Sequence, residues 1–129
     1  MNADENSKQK QMEIAQRLAA LHPGLEINQV GTYTSLRAGS GRLTNCVVVS
    51  RTADKASFLI TSPELLRAIE RAGLPFTTVR SKARAFQGSQ YRVSGVSAIA
   101  IDQHQDLFRK LVAASEKFVT ELRKGSVHG

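Results

Sequence analysis

The stretch Arg42-Leu43-Thr44-Asn45-Cys46-Val47-Val48-Val49-Ser50 decides the fold class. Branched side chains pack well on a pleated surface, and Cys46 to Val49 is apolar on both faces, so the run reads as a strand central in its sheet. Immediately upstream, Ala38-Gly39-Ser40-Gly41 is a turn, because two glycines adopt positive φ at no steric cost. Before that turn, Leu25 to Arg37 reads as one bent strand or two. Downstream, Thr52-Ala53-Asp54-Lys55 is a second turn, and Ser57 to Thr61 a further strand.

Helical patterns flank this β region. Met12, Ala15, Leu18, Ala19 and Leu21 recur at helical spacing within residues 7–21, and His22-Pro23-Gly24 ends the run. Ser62 is placed to cap a second helix, with Pro63 at its first position and Glu64 at the positive end of its dipole. Leu65, Leu66, Ile69 and Ala72 form its buried stripe, and Gly73 follows as a natural C′ residue. Pro75 to Ser81 reads as a strand and residues 82–89 as a basic connection. Gln90 to Ile101 reads as one long strand with a bulge at Gly95. Asp102, with Gln105 three residues on, opens the last helix through a capping box. Phe108, Leu111, Ser115, Phe118 and Leu122 continue that helix at 3-4 spacing.

The resulting order is α-β-β-β-α-β-β-α, with strands joined by short turns. It predicts an α+β fold whose mainly antiparallel sheet carries its helices on one face. At 129 residues the chain is one domain, spanning 7–124, with disordered ends at 1–6 and 125–129. The single cysteine excludes an internal disulfide framework and any multi-cysteine zinc site. No apolar run approaches the roughly 18 residues that span a membrane. Asp4 and Glu5 come early and no apolar segment follows them, so neither a secretory signal nor a transit peptide is expected, and a cytoplasmic protein is.

The formal net charge is +7, and residues 27–101 alone carry all of it, with ten basic and three acidic side chains. Two stretches, Ile27 to Ala53 and Arg71 to Ile101, hold no carboxylate. Unneutralised arginines raise a positive potential that favours anionic partners. Arg80-Ser81-Lys82-Ala83-Arg84, if extended, would set three cations on one side, with Arg92 across a hairpin from them.

Other chemistry finds less support. His22, His104 and His128 stand in no metal-ligand spacing. Asp102, His104 and Asp106 read as an acid-rich helix start, since Asp102 and Asp106 share a helical face and His104 does not. Cys46 within a central strand reads as an inert buried thiol. Gly39-Ser40-Gly41 lacks the phosphate-loop pattern and precedes a strand, and no nucleophile motif is present. Phe86 to Tyr91 does not match the signature of an RNA-recognition sheet. We therefore expect no enzyme, no cofactor and no metal. The expected function is a small basic binding protein that contacts phosphates of nucleic acid or another polyanion. Arg37, Arg42, Arg80, Lys82, Arg84 and Arg92 would make those contacts from a basic sheet face and hairpin tips.

The element order is also similar to that of the small dimeric secretion chaperones of type III systems, which bind extended effector segments. That resemblance implies an alternative, a dimeric protein-interaction module. A homodimer through the C-terminal helix or an edge strand goes with it.

Overall fold

A computed structural model describes residues 3–31, 33–39, 44–82 and 84–128. They form α1 (Ala3–Leu21), β1 (Glu26–Val30), β2 (Tyr33–Arg37), β3 (Asn45–Val49), β4 (Lys55–Leu59), α2 (Pro63–Arg71), β5 (Phe76–Thr78), β6 (Gln90–Ser94), α3 (Ala98–Gln103) and α4 (Gln105–His128). A 3-10 turn, Arg84–Phe86, lies between β5 and β6. The strands build one antiparallel sheet in the order β1-β2-β3-β4-β6-β5. The α+β architecture and the order expected from sequence hold, with residues 25–37 resolved into two strands of a hairpin. The first four strands form a meander. After α2 the chain returns as the edge strand β5 and then folds β6 between β5 and β4.

Alternation along each strand sorts the side chains by face. The helix-facing rows run Leu36, Val47, Phe58 and Val49, Ala56, Val93 across neighbouring strands, and all six residues have essentially no solvent exposure. Against them α1 sets Ile14, Ala15 and Leu18, and α4 sets Phe108, Leu111, Val112 and Val119, all buried. The Phe58 and Phe108 rings meet at 6.2 Å between centroids. Full burial of one such aliphatic or aromatic side chain stabilises the fold by roughly 1.5–3 kcal/mol, so this two-layer contact is the main adhesive. Buried polar bonds add register. Gln11, 2% exposed, donates to the Arg51 carbonyl at 2.9 Å and accepts from the Thr34 hydroxyl at 3.0 Å, fixing α1 to β2 and to the β3–β4 turn.

A bulge modifies β3. Leu36 pairs with Val47, yet Arg37 pairs with Asn45, leaving Cys46 as the extra residue. A bulge breaks strict alternation. Here it puts the thiol with the core, 2% exposed and close enough to Glu116 of α4 to feel its charge.

Two sequence expectations fail around residue 95. The long strand over Gln90 to Ile101 stops at Ser94, and residues 98–103 are helical. Gly95 adopts φ +76°, which turns the chain out of the sheet, and the Ser97 hydroxyl accepts from the Ala100 N–H at 3.1 Å as a helix cap. The alternation Ala98-Ile99-Ala100-Ile101 fits a strand by pattern, but this local cap decides the outcome. Asp102 consequently lies inside α3 and opens no helix. His104, at φ −125° and ψ 45°, breaks α3 from α4, which begins at Gln105. Ser62 occupies the α2 N-cap position as expected, but its side chain makes no capping bond.

Candidate functional site

The sheet register brings the ends of several elements together. Arg37 closes β2, Leu59 closes β4, Thr78 closes β5 and Gln90 opens β6, and their pairings put all four at one end of the sheet. The β2–β3 and β5–β6 connections both leave from this end. The Ile60 N–H donates to the Ser89 carbonyl at 2.7 Å there, and the Val79 N–H donates to the Gln90 carbonyl at 2.8 Å.

Arg80, Lys82 and Arg84 all lie in the β5–β6 connection and are exposed. Residues 82–89 read from sequence as a basic connection, and the one-sided row that an extended Arg80 to Arg84 would give does not form. The ladder stops at Thr78, Lys82 sits in a bend, and Arg84 begins the 3-10 turn. The Phe86 ring packs on Phe118 of α4 at 6.0 Å between centroids, which ties the connection to that helix. Arg37 is half-buried at the same end, its guanidinium donating to the Thr44 hydroxyl at 3.1 Å. Arg42 lies outside the described residues. Arg92 stands apart from the cluster, exposed on β6 in the middle of the open face.

That open face is not a row of cations. One register row crosses all six strands as Asn28, Ser35, Val48, Ser57, Arg92 and Thr77. Ser35 and Ser57, small side chains between larger neighbours, are buried. Arg92 is therefore the cation at the centre of the row, and Lys55 and Arg37 share its face near opposite ends.

Sequence reasoning missed Arg123. It follows the apolar stripe of α4, and its guanidinium donates to the Ala38 carbonyl at 2.8 Å, adding a cation at the β2–β3 side of the end. Nothing local in the sequence pairs positions 38 and 123. Phe86 and Tyr91, unassigned aromatics in the sequence, both have ring partners: Phe118 for the first and Phe76, at 5.9 Å, for the second.

Carboxylates are partly engaged and partly present at this end, where Glu26 of β1 is the register partner of Arg37. Glu116 lies 3.9 Å from His22, Asp106 2.8 Å from Arg109, and Asp102 3.5 Å from Arg17. Glu64 stands exposed in the first turn of α2 at the basic end. Among the described residues Arg80, Lys82, Arg84 and Arg92 form no ion pair.

Two concavities bear on chemistry. A cleft of about 540 Å³ between the end of α2 and the α3–α4 joint is lined by Arg71, Asp102, His104 and Asp106, among others. It mixes both signs of charge, and two carboxylates oppose anion binding there. A pocket of about 400 Å³ sits in the β5–β6 connection, bounded by Thr78, Val79, Arg80, Ser81, Gln87 and Gly88, with no carboxylate among the described residues of its wall. Among the described residues no group of three or more His, Cys, Asp or Glu is arranged to hold a metal ion. Burial pushes the Cys46 thiol up to about 12, with the Glu116 charge adding to the effect, so at neutral pH the thiol is protonated and unreactive. No helix among the described residues is long and apolar enough to cross a membrane.

No protein-family profile, curated protein or solved structure matches this chain, so the likeness to type III secretion chaperones rests on element order alone.

Proposed function

We propose that the protein is a non-catalytic binding protein for phosphate-bearing polyanions, nucleic acid foremost, acting in the cytoplasm. The β5–β6 end of the sheet is the contact surface. One observation carries the reading: Arg80, Lys82 and Arg84 stand exposed together in one connection, with no carboxylate bound to any of them among the described residues. Surface cations that only solubilise a protein are commonly interspersed with acidic partners. Here the residues from Arg71 to Ile101 contain none. Arg37, Arg42 and Arg92 are assigned to the contact from sequence alone; Arg37 is half-buried opposite Glu26, and Arg92 stands on the open face apart from the connection. Such contacts position a strand without reading its bases. Fluorescence anisotropy with a labelled duplex and a labelled single strand at low salt tests the proposal. Binding of at least one is expected, and no binding of either would refute it.

A second reading, a self-associating interaction module, draws support from the sheet edges. α4 buries its apolar stripe against its own sheet, whereas Val30 on the edge strand β1 is 44% exposed. Edge pairing is thus the better supported route to a homodimer, since an unpaired edge presents free backbone donors and acceptors. Sedimentation of a monomer at all concentrations would remove this reading.

A further inference from the structure

We propose that the pocket in the β5–β6 connection binds a terminal phosphate monoester, the phosphorylated end of a nucleic-acid strand, in preference to an internal phosphodiester. The inference rests on the polyanion-binding reading and assigns the ligand group for one site within it.

Three observations point to a monoester. The first is shape. The site is concave, about 400 Å³, at the low end of the roughly 300–1,000 Å³ typical of small-molecule sites. A strand passing through such a recess must bend both ester arms away from its phosphorus. A strand end enters with one arm and presents three oxygens.

The second is the chemistry of the wall. Arg80, Thr78 and Gln87 line the pocket; a guanidinium is a planar fork of N–H groups matched to two phosphate oxygens, and hydroxyl and amide side chains are further donors. Among the described residues no carboxylate lines the pocket, in contrast to the cleft beside Asp102 and Asp106. A monoester carries close to two negative charges at neutral pH and a diester one, so a cationic, carboxylate-free recess favours the monoester.

The third is preorganisation. The Val79 N–H is tied to the Gln90 carbonyl at 2.8 Å, and the Ser89 N–H to the Phe86 carbonyl at 3.0 Å. Phe86 is anchored on Phe118 of α4. The walls are held from both flanks before a ligand arrives, which lowers the ordering cost of binding. Lys82 and Arg84, exposed beside the pocket, are placed to take the internal phosphates that follow the end group.

The test compares short single strands of one sequence ending in a 5′-phosphate, in a 3′-phosphate, or in hydroxyls at both ends. At moderate salt a phosphate-ended strand binds about tenfold tighter than the hydroxyl-ended one, the scale of one charged hydrogen-bonded pair. Arg80→Ala abolishes that difference and weakens hydroxyl-ended binding by the one contact it loses, whereas Lys82→Ala weakens all three strands alike and keeps the preference for the phosphate end. Gln87→Ala, a milder change in the same wall, reduces the preference, and the backbone amide of Gly88 shifts in NMR spectra only with phosphate-ended strands. Equal binding of all three strands would overturn the inference and leave the polyanion reading standing. Absence of binding by every strand at low salt would overturn both. Inorganic phosphate or a nucleoside monophosphate that binds as tightly as the strand would overturn the assignment to a strand end.

Discussion

The backbone N–H of Leu59, the last residue of β4, donates to the hydroxyl of Ser115 on α4 at 2.9 Å. The hydroxyl in turn donates to the Leu111 carbonyl at 2.8 Å, so a fully buried polar atom is satisfied on both sides. The extent of the β3–β4 ladder is the structural reason. β3 and β4 pair only from Val47–Phe58 to Val49–Ala56, and Leu59 lies beyond that ladder. A serine from the helix supplies the acceptor that the strand does not.

Ser115→Ala leaves the Leu59 N–H buried without a partner. The expected loss is about 1–3 kcal/mol, the cost of an unsatisfied buried donor. Urea denaturation measures it as a lower midpoint with an unchanged slope. A midpoint equal to that of the parent protein would mean that the bond contributes nothing.

Ser115 also illustrates what the sequence made legible. It was visible as a polar residue inside an apolar helical stripe, but its partner lies 56 positions away and cannot be read from local pattern. The strands, the two long helices and the antiparallel sheet followed from periodicity and turn chemistry, which are local. The α3 segment did not, because Ala98 to Ile101 alternates like a strand and only the Gly95 turn and the Ser97 cap overrule it. For the candidate site, charge clustering in sequence found Arg80, Lys82 and Arg84. Their place in a connection was legible too, but not the packing of Phe86 on Phe118, which is a long-range contact. Arg123 escaped for the same reason.

Gly39 and Arg123 form a second coupled pair. A Cβ at Gly39 would sit 2.7 Å from the Arg123 guanidinium, and the glycine has φ +102°, a conformation that side-chain-bearing residues rarely adopt. Gly39→Ala is expected to cost about 1–3 kcal/mol of stability through backbone strain plus displacement of the arginine. Arg123→Ala alone is expected to cost about 1 kcal/mol or less, from the bond to Ala38. The double variant should be less destabilised than the two single costs combined, by roughly 0.5 kcal/mol or more. Strict additivity in thermal unfolding would contradict the steric account.

Cys46 makes an alkaline prediction. Its thiol has an ordinary value of 9.0 in an open chain and about 12 in the fold. The folded state holds the proton more tightly, so the contribution to stability is complete below pH 9.0 and is lost as pH rises from there toward about 12. Cys46→Ala should flatten that part of the stability profile relative to the parent. In the native protein at pH 8, Cys46 should react with a thiol reagent no faster than global or local opening permits. Instant labelling would show the thiol to be accessible.

The central claim is that the cations of the β5–β6 connection bind phosphates, and its most direct test is the salt dependence of single-strand binding. Each phosphate contact contributes about 0.7 to the slope of log affinity against log salt. Substituting Arg80, Lys82 and Arg84 together by alanine should lower that slope by about two and weaken binding at every sequence tested alike. Lys110→Ala, an exposed cation on α4 outside the cluster, should leave it nearly unchanged. A triple variant that binds with the parent slope, or a Lys110→Ala slope that falls as far, would contradict the account.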